Sequence, residues 1–228
     1  LAIQAITIEQ ALKRDGFKWS ISGIALQLFV KLGGVPWTVK PQNQNCLIFG
    51  VSSAHIKDEK NNVTKYFAYS LCFDSSGLYK KLNILGQSTN KESYIKQLSD
   101  EIKNHLRNDL DDSIEKCVIH VPYKLKRDEM KCIKESMESV KQDHQKISFS
   151  VIKINVINKF FGYSFYNSNI PLAGSCLQLG KHDYLVWFEG LQQGKTQVVS
   201  AQNISNPVHI QFIYGPEMTD EEIKAYLQ

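Results

Sequence analysis

The chain has 228 residues, of which 43% are hydrophobic and 22% charged. That is enough apolar material to bury a sizeable core in one large domain, or in one and a half small ones, and it excludes a globally disordered chain. The net charge of +4 leans toward an anionic partner without specifying one.

Nothing approaches the ~18 consecutive apolar residues of a membrane span. The sequence opens Leu1-Ala2-Ile3, with no starting Met, basic leader or apolar signal segment. We therefore expect part of a longer protein in a cytoplasmic location. Cys46, Cys72, Cys117, Cys132 and Cys176 are odd in number and widely spaced, with no CxxC pair and no Cys/His cluster. That pattern argues against a zinc site and fits a reducing compartment.

Residues 1–8 read as a strand and the polar stretch from Lys13 to Ser20 as a loop. Ile21, Ile24, Ala25, Leu28 and Leu32 recur at helical spacing behind a Ser20 or Ser22 cap. Gly33-Gly34 ends that helix and Pro36 prevents its resumption. After a polar linker from Pro41 to Asn45, Cys46 to Val51 is the short apolar run of a buried strand. Thr64 to Phe73 and Leu78 to Leu85, joined by Asp74-Ser75-Ser76-Gly77, form a hairpin. Thr89 and Glu92 resemble a capping box. Ile95, Leu98, Ile102 and Leu106 carry an amphipathic helix beyond it.

Cys117 to Val121 is a second buried strand. Met130, Ile133, Met137 and Val140 mark a second amphipathic helix, and Ile147 to Val156 returns as a strand. Further β segments are expected at Cys176–Leu179, Tyr184–Phe188, Thr196–Ala201 and Val208–Tyr214. Met218 to Leu227 starts a helix capped by Thr219, with acids in its first turn. This order predicts an α/β domain with a mixed sheet flanked by helices. It matches an RNase H-like core, one option among several on order alone.

Lys31 closes the first helix and stands beside two glycines. A strand-end phosphate needs a fixed cation and several donors, and glycines allow close approach. The same features also serve a plain helix end, with a cation on the dipole and a glycine C-cap. The segment Lys31-Leu32-Gly33-Gly34, continued by Pro36-Trp37, resembles the start of the PIWI domain in Argonaute proteins. Phe49-Gly50-Val51-Ser52-Ser53-Ala54-His55 is similar to the family's first catalytic strand, and Val118-Ile119-His120-Val121-Pro122-Tyr123 to the strand that ends there in Arg-Asp-Gly.

The resemblance implies an RNase H-like PIWI domain over 41–228, C-terminally incomplete, preceded over 1–40 by the end of a MID domain and the MID–PIWI junction. It implies that Lys31 and Gln4 bind a guide's 5′ phosphate. Gln27 stands where many relatives carry a second lysine. A Mg²⁺ ion at that phosphate is compatible with the family pattern.

RNase H-type cleavage uses two divalent metals held by carboxylates on adjacent strands. The family's first Asp stands three residues before a His; here that residue is Ser52, before His55. Its second Asp falls at Pro122. The resemblance therefore implies a centre with no catalytic residues and no metal. Asp58, Glu59, Asp128 and Glu129 read as a solvated turn and a helix N-terminus. A divergent guided nuclease using displaced carboxylates such as Asp58 or Asp128 is the alternative. Glu92, near the family's glutamate finger, reads as a helix cap. His55 and His120 read as structural, with no nucleophile or acid at catalytic spacing.

Lys153 and Lys159, with Phe160-Phe161-Gly162-Tyr163, read either as contacts to a guide–target backbone or as surface lysines beside core aromatics. Lys124, Lys126, Arg127, Lys131 and Lys134 read as a solvated helix face. The whole pattern is most similar to short prokaryotic Argonautes with inactive PIWI domains. It implies a guide RNA and target DNA, and an effector partner with an APAZ-type domain, often NAD-consuming, in prokaryotic defence.

Overall fold

The computed structural model describes residues 6–12, 14–38, 40–41, 44–162, 170–191, 206–216, 219 and 221–223. The chain forms two compact units, Leu1–Lys40 with Ser76–Leu78, and Pro41–Ser75 with Tyr79–Gln228.

The first unit contains α1 (Ile8–Leu12) and α2 (Arg14–Lys31). Two expectations are corrected here. The stretch read as a loop up to Ser20 is helical from Arg14. The strand expected over 1–8 is helix at Ile8, and residues 1–5 lie outside the described residues. Polarity alone does not break a helix; proline does, and none occurs before Pro36. Gly16 and Gly23 inside α2 cost only about 1 kcal/mol each.

The end of α2 falls at Lys31 as expected. Gly33 N donates to Val30 O at 3.0 Å and Gly34 N to Phe29 O at 2.9 Å. This is the paired bonding of a Schellman cap. It puts Gly33 at φ +91°, a conformation open to glycine. At Gly34 a Cβ would lie 2.4 Å from the Phe29 ring.

The second unit is built on one sheet. In chain order its elements are β1 (Cys46–Lys57), β2 (Val63–Asp74), β3 (Tyr79–Ser88), α3 (Lys91–Asp109), β4 (Lys116–Pro122), α4 (Arg127–Asp143), β5 (Ser148–Asn155), β6 (Cys176–Gly180), β7 (Asp183–Val186) and β8 (Val208–Tyr214). Among the described residues the strand order is β3-β2-β1-β4-β5-β8-β7-β6. Strands β1, β4 and β5 run parallel, with β2 antiparallel to β1 and β8 antiparallel to β5. The first five strands have the expected RNase H-like arrangement. The parallel strands β4 and β5 are joined through a helix, as parallel pairs require.

Three details differ from expectation. Strand β1 runs six residues beyond the apolar run, because Ser52 to Lys57 stay paired with β2 while their burial falls away. Helix α3 is capped by Asn90, not Thr89: Asn90 Oδ1 accepts from Ser93 N at 2.9 Å. The strand expected at Thr196–Ala201 lies outside the described residues. At the final helix, Thr219 Oγ1 accepts from Glu222 N at 3.3 Å and Glu222 Oε2 from Thr219 N at 2.9 Å. That is a complete capping box.

Each face of the sheet has its own core. Leu47, Phe49 and Val51 of β1 pack with Leu98, Ile102 and Leu106 of α3 and with Ile133, Met137 and Val140 of α4. The other face gathers Val118, Ile152, Val186, Ile210, Phe212 and Ile223. Each such side chain contributes roughly 1.5–3 kcal/mol of burial. Successive residues of a strand alternate between the two faces, and this decides where each candidate site residue points.

Candidate functional site

Ser52 and Pro122 fall on the same face, in neighbouring strands. The parallel register pairs Gly50 with His120 and then stops. Ser52 lies two residues past Gly50 and Pro122 two past His120, so the two positions are level. Both are half-buried. This is where paired carboxylates would share a divalent ion, and neither residue supplies one. A two-metal centre does not fit these side chains.

Proline is tolerated there for a backbone reason. Tyr123 N donates to Ile154 O of β5 at 3.1 Å. By alternation the nitrogen of Pro122 faces β1, beyond the last paired residue, so no ladder bond is lost.

The opposite face at the same end holds a polar cluster that sequence reasoning missed. Glu129, 2% exposed, accepts from Tyr94 Oη at 2.6 Å, from Lys126 N at 2.9 Å and from Ser53 Oγ at 3.3 Å. His55 Nε2 lies 3.3 Å from Glu129 Oε1, although neither ring nitrogen has an aligned hydrogen-bond partner among the described residues. The His55 ring packs edge-on against Tyr66 and Tyr94, and Lys126 Nζ sits 5.4 Å from the Tyr66 centroid.

Two readings are therefore corrected: Glu129 is buried rather than solvated, and His55 does have an acid beside it. The spacing of 74 residues hid the pair. Burial, with the bond to Glu129, pushes the Tyr94 hydroxyl well above its usual range. The cluster joins a hydroxyl and an imidazole to one carboxylate on the packed side of the sheet, as a structural network does.

The other acids make local contacts. Asp58 Oδ1 accepts from Asn62 N at 2.8 Å. Asp128 is ion-paired with Lys91, both exposed, which holds its carboxyl below the usual range. Glu92 lies exposed in the first turn of α3. Among the described residues no group of three His, Cys, Asp or Glu could hold a metal. His120, between β1 and β5, is pushed down to about 4 by burial.

Lys153 projects from β5 with its Nζ 4.9 Å from the Tyr123 centroid. Lys159, Phe160 and Phe161 follow, all exposed; Tyr163 lies outside the described residues. In the first unit Gln27 and Lys31 are exposed one turn apart on α2. Gln4 lies outside the described residues.

The model of the Piwi domain family matches residues 1–227. The chain belongs to the Piwi domain family. No curated protein sequence matches it at a significant level. Among solved structures, this Piwi domain is similar to the crystal structure of A. aeolicus Argonaute, at 17% identity and TM-score 0.67, covering 98% of this chain and 30% of that one. It is also similar to the Marinitoga piezophila Argonaute in complex with a 5′ OH guide RNA, at 13% identity and TM-score 0.54, with 81% and 25% covered. The same Argonaute with guide RNA and target DNA gives 14% identity and TM-score 0.51, with 80% and 25% covered. These likenesses establish the fold, and the chain spans less than a third of the length of those proteins.

Proposed function

We propose that this Piwi domain binds a guide strand and a complementary target without cutting, and passes recognition to an associated effector. The observation that carries the reading is the level placement of Ser52 and Pro122 on one face of adjacent strands. The frame for a metal pair is kept and its charges are gone. The guide is proposed to be a 5′-phosphorylated RNA and the target single-stranded DNA. Guide RNA and target DNA occupy the M. piezophila protein of similar fold.

Lys31, fixed at the end of α2, supplies the cation for the 5′ phosphate, with Gln27 and Gln4 as donors. A Mg²⁺ ion at that phosphate would depend on phosphate oxygens, because Gln27 and Lys31 offer no anionic ligand. Lys153 and Lys159 contact the nucleic-acid backbone. The effector is proposed to be a partner with an APAZ-type domain, of NAD-consuming type, in cytoplasmic prokaryotic defence. No helix among the described residues is long and apolar enough to cross a membrane.

The test is to purify the intact protein with its partners, then extract and end-label the bound nucleic acid. Short 5′-phosphorylated strands are expected, and Lys31→Glu should lose them while remaining folded. Guides with 5′ phosphate and 5′ hydroxyl are compared directly, and the phosphorylated form should bind more tightly. A loaded complex given target with Mg²⁺ or Mn²⁺ should hold it uncut. Guided cleavage abolished by Asp58→Asn or Asp128→Asn would instead establish a nuclease with displaced carboxylates.

A further inference from the structure

Tyr123 follows Pro122 at the end of β4. Its aromatic side chain is 51% exposed. Around it stand a cation and two more rings. Lys153 Nζ lies 4.9 Å from its centroid. The His209 ring is 6.5 Å away and Phe160 a further 5.6 Å from His209. Phe160 is 41% exposed. The acid Asp183 is already engaged, with Oδ1 3.2 Å from His209 Nε2.

The backbone holds this group in place. Tyr123 N is bonded to Ile154 O of β5, and His209 pairs with Asn155 of the same strand. Asn158 Nδ2 donates to Asn155 O and Pro207 O at 3.0 and 2.7 Å, tying the segment that carries Phe160 to the start of β8. Exposed rings with an adjacent cation, on a rigid strand end, have the makeup of a stacking platform for nucleic acid. The ring receives the face of a base, and the cation the phosphate beside it.

We propose that Tyr123 and Lys153 form a subsite for one unpaired nucleotide, the base stacked on the ring face that Lys153 does not cover and its phosphate on Lys153. A base inside a duplex has both faces covered by its neighbours, and an open face is left only on an unpaired base or at a duplex end. The subsite takes the unpaired one, and labelling of Tyr123 from a paired terminal base would overturn that assignment. The subsite rests on the proposed guide and target binding. It adds that the end of β4 grips the strand by stacking, through residues in step with the face opposite to Ser52 and Pro122.

The test uses the intact protein loaded with guide RNA and single-stranded target DNA. 5-Iodouracil is walked along each strand, and photo-cross-links are mapped by mass spectrometry. The Tyr123 peptide should be labelled from one or two adjacent positions, and only when that position is left unpaired. Tyr123→Ala should weaken binding of a strand with an unpaired base there by roughly five- to hundred-fold. Tyr123→Phe should retain binding, and Lys153→Met should lower the salt dependence. Melting curves of the variants check that each is folded. Unchanged affinity in folded Tyr123→Ala, or cross-links that map elsewhere while the strands still bind, would overturn the subsite alone. A wild-type protein that binds neither strand would overturn the functional reading and the subsite with it.

Discussion

Tyr94 Oη donates to Glu129 Oε1 at 2.6 Å, joining the first turn of α3 to the first turn of α4 beside the His55 ring. The bond crosses a helix–helix contact that also carries Ser99 Oγ 3.1 Å from Ser136 Oγ, and the carboxylate it reaches is buried. Removing a donor from a buried carboxylate leaves an unmet charge, which costs more than the bond contributes.

The Tyr94–Glu129 link therefore predicts an ordered series of losses. Tyr94→Phe should cost about 1–2 kcal/mol, since Ser53 and Lys126 still serve the carboxylate. Glu129→Ala should cost about 3 kcal/mol or more, because Tyr94, Ser53 and the α4 cap all lose their acceptor. Urea denaturation measures both. A double-mutant cycle should show that the two effects are not additive.

His120 makes stability depend on acid. The unfolded imidazole takes a proton near pH 6.5 and the folded one near about 4. Between those values the unfolded chain binds the extra proton. The contribution is then constant above about pH 6.5 and is lost as the pH falls toward 4, at ~1.4 kcal/mol per unit and on the order of 3 kcal/mol at most. His120→Gln should flatten that part of the stability–pH curve relative to the parent, as read by denaturation at a series of pH values.

Placing carboxylates at both positions should create a metal response. In a Ser52→Asp, Pro122→Asp chain the new acids stand level on neighbouring strands. The melting temperature should rise with added Mg²⁺, whereas that of the parent should not. For a dissociation constant of about 1 mM, ~10 mM ion gives about 1.4 kcal/mol. A flat response in the folded double variant would show that the two positions do not share an ion.

The glycines after Lys31 should differ in their tolerance. Gly33→Ala meets open space but must hold a positive φ, at a cost of about 1 kcal/mol. Gly34→Ala collides with the Phe29 ring, which is 49% exposed and free to turn outward. The expected cost is therefore small at Gly34. Thermal melting of each variant separates the two.

Much of this fold could be read from short-range pattern. Alternating and continuous apolar runs located β1, β2, β3, β4 and β5, and i, i+3, i+4 spacing located α3 and α4. Where the signal was only polarity, as from Lys13 to Ser20, the reading failed, because a polar stretch without proline is free to be helical. The Lys31 turn was legible because a Schellman cap needs glycine at a fixed offset. The Glu129 cluster was not legible. Its members come from β1, α3 and α4, and only the three-dimensional fold brings His55, Tyr94 and Glu129 together. Tyr123 was hidden for a similar reason, since its partner Lys153 lies on the next strand.

The alternation of β1 also separates what the domain needs from what it can discard. Val51, Ser53 and His55 face the helices, and Ser52 lies between them facing away. A change at Ser52 or Pro122 touches neither the α3–α4 core nor the Glu129 cluster. Substitution at these two positions should therefore cost little in folding. The face that carries the catalytic question and the face that carries the fold are thus separately mutable.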